Sequence, residues 1–446
     1  SDHEVNIKIL LRAAERAGKL APEDRDALLG AMTDEVAARV LSHNYAQTLT
    51  LSLQEATAAA DIDAHARFMD DLVARGRLDR AVEGLPGPKA TADLKAQGAG
   101  LSRPELAVLT AYGKLELSAE LVEGPAPDDP WFEQALEDYF PSALEPFADG
   151  RRGHRLRREI IATMAANAMV DMCGPTFPFR LKAALGSPAA VNAAAFEAAR
   201  KIFRLDETWA EIGALDLSIS AEAQTRLYLE TARVLRAQTF WIASKASGGE
   251  APAIGPLIER YRPCADALRA AADTILSPFE REQAEARRAL FLAAGAPEDL
   301  ARRVAALGPL TATIEAADLA QALEWPGEAA ARLLHATGAA LGFDRLKAAA
   351  AALPRGDLYE RMALRRLIAE FIGEQSQIAR SVAGTATAPP KDYDGAVMLA
   401  GAWIAARADA TERALSAIRR MDEDGEPWTF ARLTLANAAL RDVAAR

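Results

Sequence analysis

The chain has 446 residues, half of them hydrophobic, and a formal net charge of −11. That length holds two or three domains or one extended helical array. The acidic balance argues against a general nucleic-acid or anionic-membrane role, because phosphates repel it. Aromatics are only 6% and alanine is abundant, so packing relies on small side chains, which let helices approach closely and suit helix formation. Cys173 and Cys264, far apart, make no disulfide framework and fit a reducing cytoplasm. No apolar run approaches the roughly 20 residues that span a bilayer. The start, Ser1-Asp2-His3-Glu4, lacks the basic region and apolar core of a signal peptide. It also lacks an initiator Met, so the chain is expected to begin inside a longer protein or to be processed.

Taken in order, the pattern is helical almost throughout. Val5, Ile9 and Ala13 fall four apart, with Leu10 and Leu11 widening the stripe, and Gly18 is a stop. Pro22, Glu23 and Asp24 read as a first helical turn. Thr33 opens the next helix, whose apolar face runs from Val36 through Val40, Leu41, Leu49, Leu51 and Leu53, with a break expected near Asp61. Gly84-Leu85-Pro86-Gly87-Pro88 and Gly98 to Gly100 are punctuation. Ser102-Arg103-Pro104-Glu105 and Ser277-Pro278-Phe279-Glu280 are capping-box signatures. Pro125 to Pro130 and Pro141 to Pro146 flank a short helix carrying Trp131, Phe132 and Tyr139. Residues 154–172 form the most regular helix, ended by Gly174-Pro175. Further helices are expected at 189–204, 220–244, 256–275, 278–294, 298–306, 315–333, 343–352, 357–383, 394–420 and 428–445, with linkers at 247–256 and 384–394. Alternation rich in Val, Ile and Thr is too sparse for a sheet, and no fixed-period repeat stands out.

The chemistry is mostly absence. Holding a dinucleotide's pyrophosphate takes a strand, a Gly-rich turn and a helix N-terminus, and Gly98-Ala99-Gly100 lacks both the third glycine and a preceding strand. There is no Walker-type loop and no His-Glu-x-x-His, and the five histidines (3, 43, 65, 154, 335) are scattered, so no metal and no Cys–His pair is expected. Asp2-His3-Glu4 reads as an acidic helix start whose three side chains point in different directions. Asn44 and Tyr45, with His43, interrupt an apolar helix and are expected to be largely buried and hydrogen-bonded to another helix. Arg151, Arg152, Arg155, Arg157 and Arg158 place five positive charges at a helix N-terminus, against its dipole, and call for acids. Spacing predicts Arg155 and Arg158 as the buried members, with bidentate carboxylate partners, and Arg157 turned to solvent.

Ser1-Asp2-His3-Glu4-Val5-Asn6-Ile7-Lys8-Ile9-Leu10-Leu11 resembles a signature of the large-subunit bacterial NAD-specific glutamate dehydrogenases. The resemblance continues in order through Glu35-Val36, Asn44-Tyr45-Ala46-Gln47, Leu101 to Leu109, Asp129-Pro130, Tyr139-Phe140-Pro141, His154 to Thr163, Ala199-Arg200 and Leu215-Asp216. It implies that the dinucleotide fold and the catalytic Lys and Asp precede this chain. It also implies a parent that converts L-glutamate, water and NAD to 2-oxoglutarate, ammonium and NADH. Smaller glutamate dehydrogenases hold the substrate's side-chain carboxylate with the Ser of a Gly-Gly-Val-x-x-Ser-x-x-Glu stretch. Ser1 and Glu4 match two positions of that stretch, so the resemblance makes Ser1 substrate-binding, in the full-length parent alone.

The expected fold is therefore all-α, a multi-helix bundle or array whose first helix ends an absent catalytic domain. Residues 1–20 are read as the tail of that domain, 21–246 as the family-like helical domain and 247–446 as a distal helical subdomain. No catalytic, cofactor or metal site is expected in the chain itself. NAD belongs to the parent, and the partners are the chain's own catalytic domain and further subunits, with no nucleic acid and no membrane. The rival reading is a free-standing helical interaction module, separable by the sequence upstream of Ser1.

Overall fold

A computed structural model describes residues 2–246, 249–354 and 358–445. Among them are twenty-three α-helices, three short 3₁₀ turns and no strand, so the all-α expectation holds. The first eight helices are α1 (Asp2–Arg16), α2 (Pro22–Ala31), α3 (Thr33–Ala74), α4 (Pro88–Ala96), α5 (Arg103–Glu123), α6 (Pro130–Tyr139), α7 (Ala148–Arg152) and α8 (Arg157–Cys173).

Local chemistry sets most boundaries. After α1, Gly18 adopts φ 67°, and the N–H groups of Gly18 and Lys19 donate to the carbonyls of Glu15 and Ala14, a helix-ending motif that satisfies the last carbonyls. Between Thr33 and Ala74 there is neither Gly nor Pro, so α3 runs unbroken past Asp61 for 42 residues, about 63 Å at 1.5 Å per residue. Both predicted capping boxes form: the backbone N–H of Ser102 donates to Glu105 at 2.6 Å, and that of Ser277 to Glu280 at 3.0 Å.

Three predicted helices divide. The expected 315–333 helix becomes Thr313–Leu323 and Gly327–Leu341, because Pro326 has no N–H to continue the ladder and Glu324 turns left-handed at φ 56°. The expected 394–420 helix becomes Tyr393–Ala405 and Ala408–Glu423, parted at Arg407. The 256–275 helix becomes Ile254–Ala270 and Ala272–Ile275. The expected helix at 154–172 starts later, at Arg157.

The chain forms two compact units, Ser1–Glu197 with Leu235–Gly255, and Ala198–Val234 with Pro256–Arg446. In the first, Ile62, Phe68, Met69 and Leu72 of α3 pack with Leu101, Leu106 and Leu109 at the start of α5. In the second, Phe343, Phe371, Trp403, Leu433 and Leu440 join one core, and Leu268, Ile275, Leu319 and Leu334 another. Alanine fills much of the interior: Ala193, Ala194, Ala195, Ala198 and Ala199 are all buried on one helix.

Candidate functional site: a buried polar junction on the first helix

The α1 helix does not begin as a solvated acidic turn. Its stripe of Ile7, Leu10, Leu11 and Ala14 is buried, and that orientation carries His3 and Asn6 inside as well. His3 is 1% exposed, stacked on Tyr139 with ring centroids 4.1 Å apart, and 5.1 Å from His43 of α3. Asn6 Nδ2 donates to Tyr139 Oη at 2.8 Å, and Tyr139 Oη donates to Asp2 Oδ2 at 3.0 Å. Asp2, Asn6 and the ring of His3 thus converge on one tyrosine, while Glu4 faces outward and pairs with Lys8. Reading the three polar residues as diverging missed that His3 shares a face with the apolar stripe.

Tyr139 reaches this point because Asp129 caps α6, accepting from Trp131 N–H at 2.8 Å, and places the aromatic at the helix end. Phe140 follows edge-on, and His154 lies against it. Leu156 N–H donates to His154 Nδ1 at 3.1 Å, so the proton sits on Nε2, which donates to the Asn6 carbonyl at 3.1 Å. Glu35 of α3 accepts from the backbone N–H and hydroxyl of Ser142, while Arg39 reaches the Asp138 and Phe140 carbonyls. Three histidines that are scattered in sequence, 3, 43 and 154, therefore meet around α1.

The electrostatics favour neutral rings at His3 and His154. Burial lowers the basicity of His3, offset in part by Asp2, and burial likewise lowers His154. Burial raises the Tyr139 hydroxyl and keeps its proton on. The hydrogen bond from Arg39 holds the Glu35 carboxyl below its usual range. Both ring nitrogens of His3 and Asn6 Oδ1 are buried without a hydrogen bond of good geometry. These are the properties of a junction that fixes one helix against others. Ser1 lies outside the described residues.

The arginine cluster is divided between two helices, which removes the dipole conflict for Arg151 and Arg152. Arg151 and Arg152 end α7, where positive charge is favourable, and Arg157 and Arg158 begin α8. Arg151 is the buried member and pairs with Glu145 at 2.8 Å. Arg158 donates to the carbonyls of Val122 and Gly124 at the end of α5 and pairs with Asp128. Those orphan carbonyls are what a cation at a helix C-terminus satisfies. Arg155, expected inside, is exposed, and Arg157, expected outside, is tucked onto the Pro127 carbonyl at 2.8 Å. Residues 154–156 precede the helix, so helical spacing does not set the direction of Arg155. Asn44 and Tyr45 are also corrected: both are exposed, since α3 buries no residue before Thr50.

A second buried polar group lies within the other unit. Glu280 Oε2 is 2.7 Å from His335 Nδ1, and Ser277 Oγ donates to Asp344 Oδ2 at 2.8 Å. Burial by itself raises the Glu280 carboxyl, but His335, Lys347 and the Ser277 N–H outweigh it and hold the group at about 2. Although this is an acid–His–Ser composition, Ser277 is wholly buried, its hydroxyl donates to Asp344, and it accepts from Glu280 N–H as a helix cap. That serine is committed to folding. The sequence signalled the cap and not the histidine, which arrives from residue 335.

Among the described residues no group of three or more His, Cys, Asp or Glu is placed to hold a metal ion, and no helix is long and apolar enough to cross a membrane. A dinucleotide does not fit these residues in the manner of a strand–turn–helix. They contain no strand, and Gly100 serves packing: a Cβ there would lie 2.2 Å from the Ala58 backbone carbon on α3.

Comparison with known proteins divides the chain at the same junction. Residues 98–442 match the family described as "Glutamate dehydrogenase, C-terminal", and residues 1–54 match "Bacterial NAD-glutamate dehydrogenase, catalytic domain". The NAD-specific glutamate dehydrogenase of Pseudomonas aeruginosa is 41% identical over 72% of this chain and 20% of its own length. That of Halomonas elongata is 36% identical over 76% of this chain and 21% of its own length, and that of Mycobacterium tuberculosis 37% over 68% and 18%. The chain thus spans about a fifth of the length of these relatives. The junction joins the two matched segments: Asp2, His3, Asn6, Glu35, Arg39 and His43 come from the first, and Tyr139, Phe140, Ser142 and His154 from the second.

Proposed function

The chain belongs to the glutamate dehydrogenase C-terminal family, and from that premise we propose that it is the helical support of an NAD-specific glutamate dehydrogenase. In this reading the parent oxidatively deaminates L-glutamate to 2-oxoglutarate and ammonium in the cytoplasm. The chain holds the last helices of the catalytic domain in place and performs no chemistry alone. Its partners are its own catalytic domain and further subunits of the same enzyme.

The observation that carries this reading is the junction around Tyr139. Segments matching a catalytic domain and a C-terminal domain share buried hydrogen bonds, Asn6 to Tyr139 and His154 to the Asn6 carbonyl. Two buried polar groups that satisfy one another specify a single arrangement, because any slip leaves both stranded in a low-dielectric interior. The chain's contribution to the reaction is therefore positional. It fixes the orientation of α1, and through it whatever the parent connects to Asp2.

The test is a comparison of the intact enzyme with the 446-residue chain, following NADH absorbance with L-glutamate and NAD. The intact enzyme should turn over, and Tyr139→Phe should lower its kcat or its thermal half-life. The chain alone should give no signal. NADH formed by the purified chain in proportion to its concentration would overturn the reading.

A further inference from the structure

The segment from Thr33 to Leu49 is helical yet buries none of its residues, and α2 beside it in sequence buries none either. A helix left to water normally carries charge on its open side. This one does not. From Val40 to Gln54 there is no Asp, Glu, Lys or Arg, in a chain where 26% of residues are charged. Leu41 is 67% exposed, and Tyr45, one turn on, is 42% exposed. Ala37, Ala38, Ser42, Asn44 and Thr48 are exposed around them.

The two sides of this helix are already distinguished. Glu35, Arg39 and His43 face the junction with α1 and residues 138–142. Leu41 is two residues from His43, which at about 100° per residue turns it roughly 200° away. An isolated exposed leucine needs no explanation. An uncharged stripe of Ala, Leu and Tyr at helical spacing, ringed by Ser, Asn and Thr, has the composition of a contact surface.

We propose that the Leu41–Tyr45 side of α3 is the seat of the remainder of the catalytic domain in the intact enzyme. This rests on the parent reading above. The occupant is argued from extent. The catalytic-domain match covers residues 1–54, so the exposed residues from Ala37 to Thr48 all lie inside it, just before α3 begins to bury residues at Thr50. The C-terminal family match starts at residue 98 and supplies the junction side alone. Relatives more than three times as long hold ample chain to cover it. A helix recognised on one side by the C-terminal region and on the other by the catalytic domain couples the two.

The experiment is amide hydrogen exchange on the intact enzyme and on the 446-residue chain. Amides 33–49 should exchange at least tenfold more slowly in the intact enzyme, while those of α8 should match in the two. Leu41→Asp should erase that extra protection and shorten the thermal half-life of NADH production severalfold in the intact enzyme, leaving the melting of the chain unchanged. Equal exchange over 33–49 in both proteins would overturn the proposal. So would a chain that sediments as a dimer and becomes monomeric on Leu41→Asp, since a second copy is then the occupant. An intact enzyme that fails to oxidise glutamate strikes the parent reading, whereas the exchange comparison still decides the docking because it needs no activity.

Discussion

Removing one oxygen from Tyr139 tests the junction directly. Tyr139→Phe keeps the ring that stacks on His3 and deletes the hydroxyl that accepts from Asn6 at 2.8 Å and donates to Asp2 at 3.0 Å. Asp2 is exposed and takes water instead. Asn6 has no such exit: it is buried, and its Oδ1 already lacks a partner, so the side-chain amide would be stranded. A lost net hydrogen bond of about 1 kcal/mol, plus a buried amide left unpaired, sums to about 2–3 kcal/mol. At 1.4 kcal/mol per tenfold, that is roughly a 30- to 150-fold rise in the opening of α1. Native-state hydrogen exchange of the α1 amides is the right assay, because a chain of two units need not unfold in one step. Asn6→Leu combined with Tyr139→Phe should recover much of the loss, since replacing both partners by apolar groups removes the stranded amide. Exchange within threefold of wild type for Tyr139→Phe, or a double variant no better than the single, would refute the reasoning.

Three further outcomes rest on other charged side chains of the same fold. Arg158→Ala should destabilise the first unit by about 1.5–3 kcal/mol by freeing the α5 carbonyls it caps, and Arg155→Ala by less than about 0.5, measured by urea unfolding. Glu280 has a folded pKa of about 2 against an ordinary 4.5, so its contribution is present above pH 4.5 and is lost as pH falls towards 2; Glu280→Gln should flatten unfolding midpoints of the second unit across that window. Glu374 has the opposite sign. Burial, reinforced by Glu370 and Asp442, pushes its carboxyl up to about 7 despite Arg441, so stability should decline as pH rises from 4.5 to 7. Glu374→Gln should remove that decline, and an unchanged pH profile would count against the assignment.

Periodicity, prolines and caps determined the all-α class and most helix spans, because these signals act over a few residues. Ser277-x-x-Glu280 and Gly18 were readable for the same reason: each satisfies its own helix end. The family was legible too, through ordered segments from Asp2 to Asp216. What the sequence could not specify was which neighbour each helix face meets. His3, His43 and His154 are far apart along the chain and acquire a common environment only when α1, α3 and the residues before α8 pack together. Tyr45 and Tyr139 both interrupt apolar helices. One is exposed and the other holds the junction, because α3 before Thr50 meets α1 and residues 138–142 along its Glu35, Arg39 and His43 side, away from Tyr45, whereas α6 ends against α1. Burial is a property of pairs of elements, and a stripe on one helix carries no record of its partner.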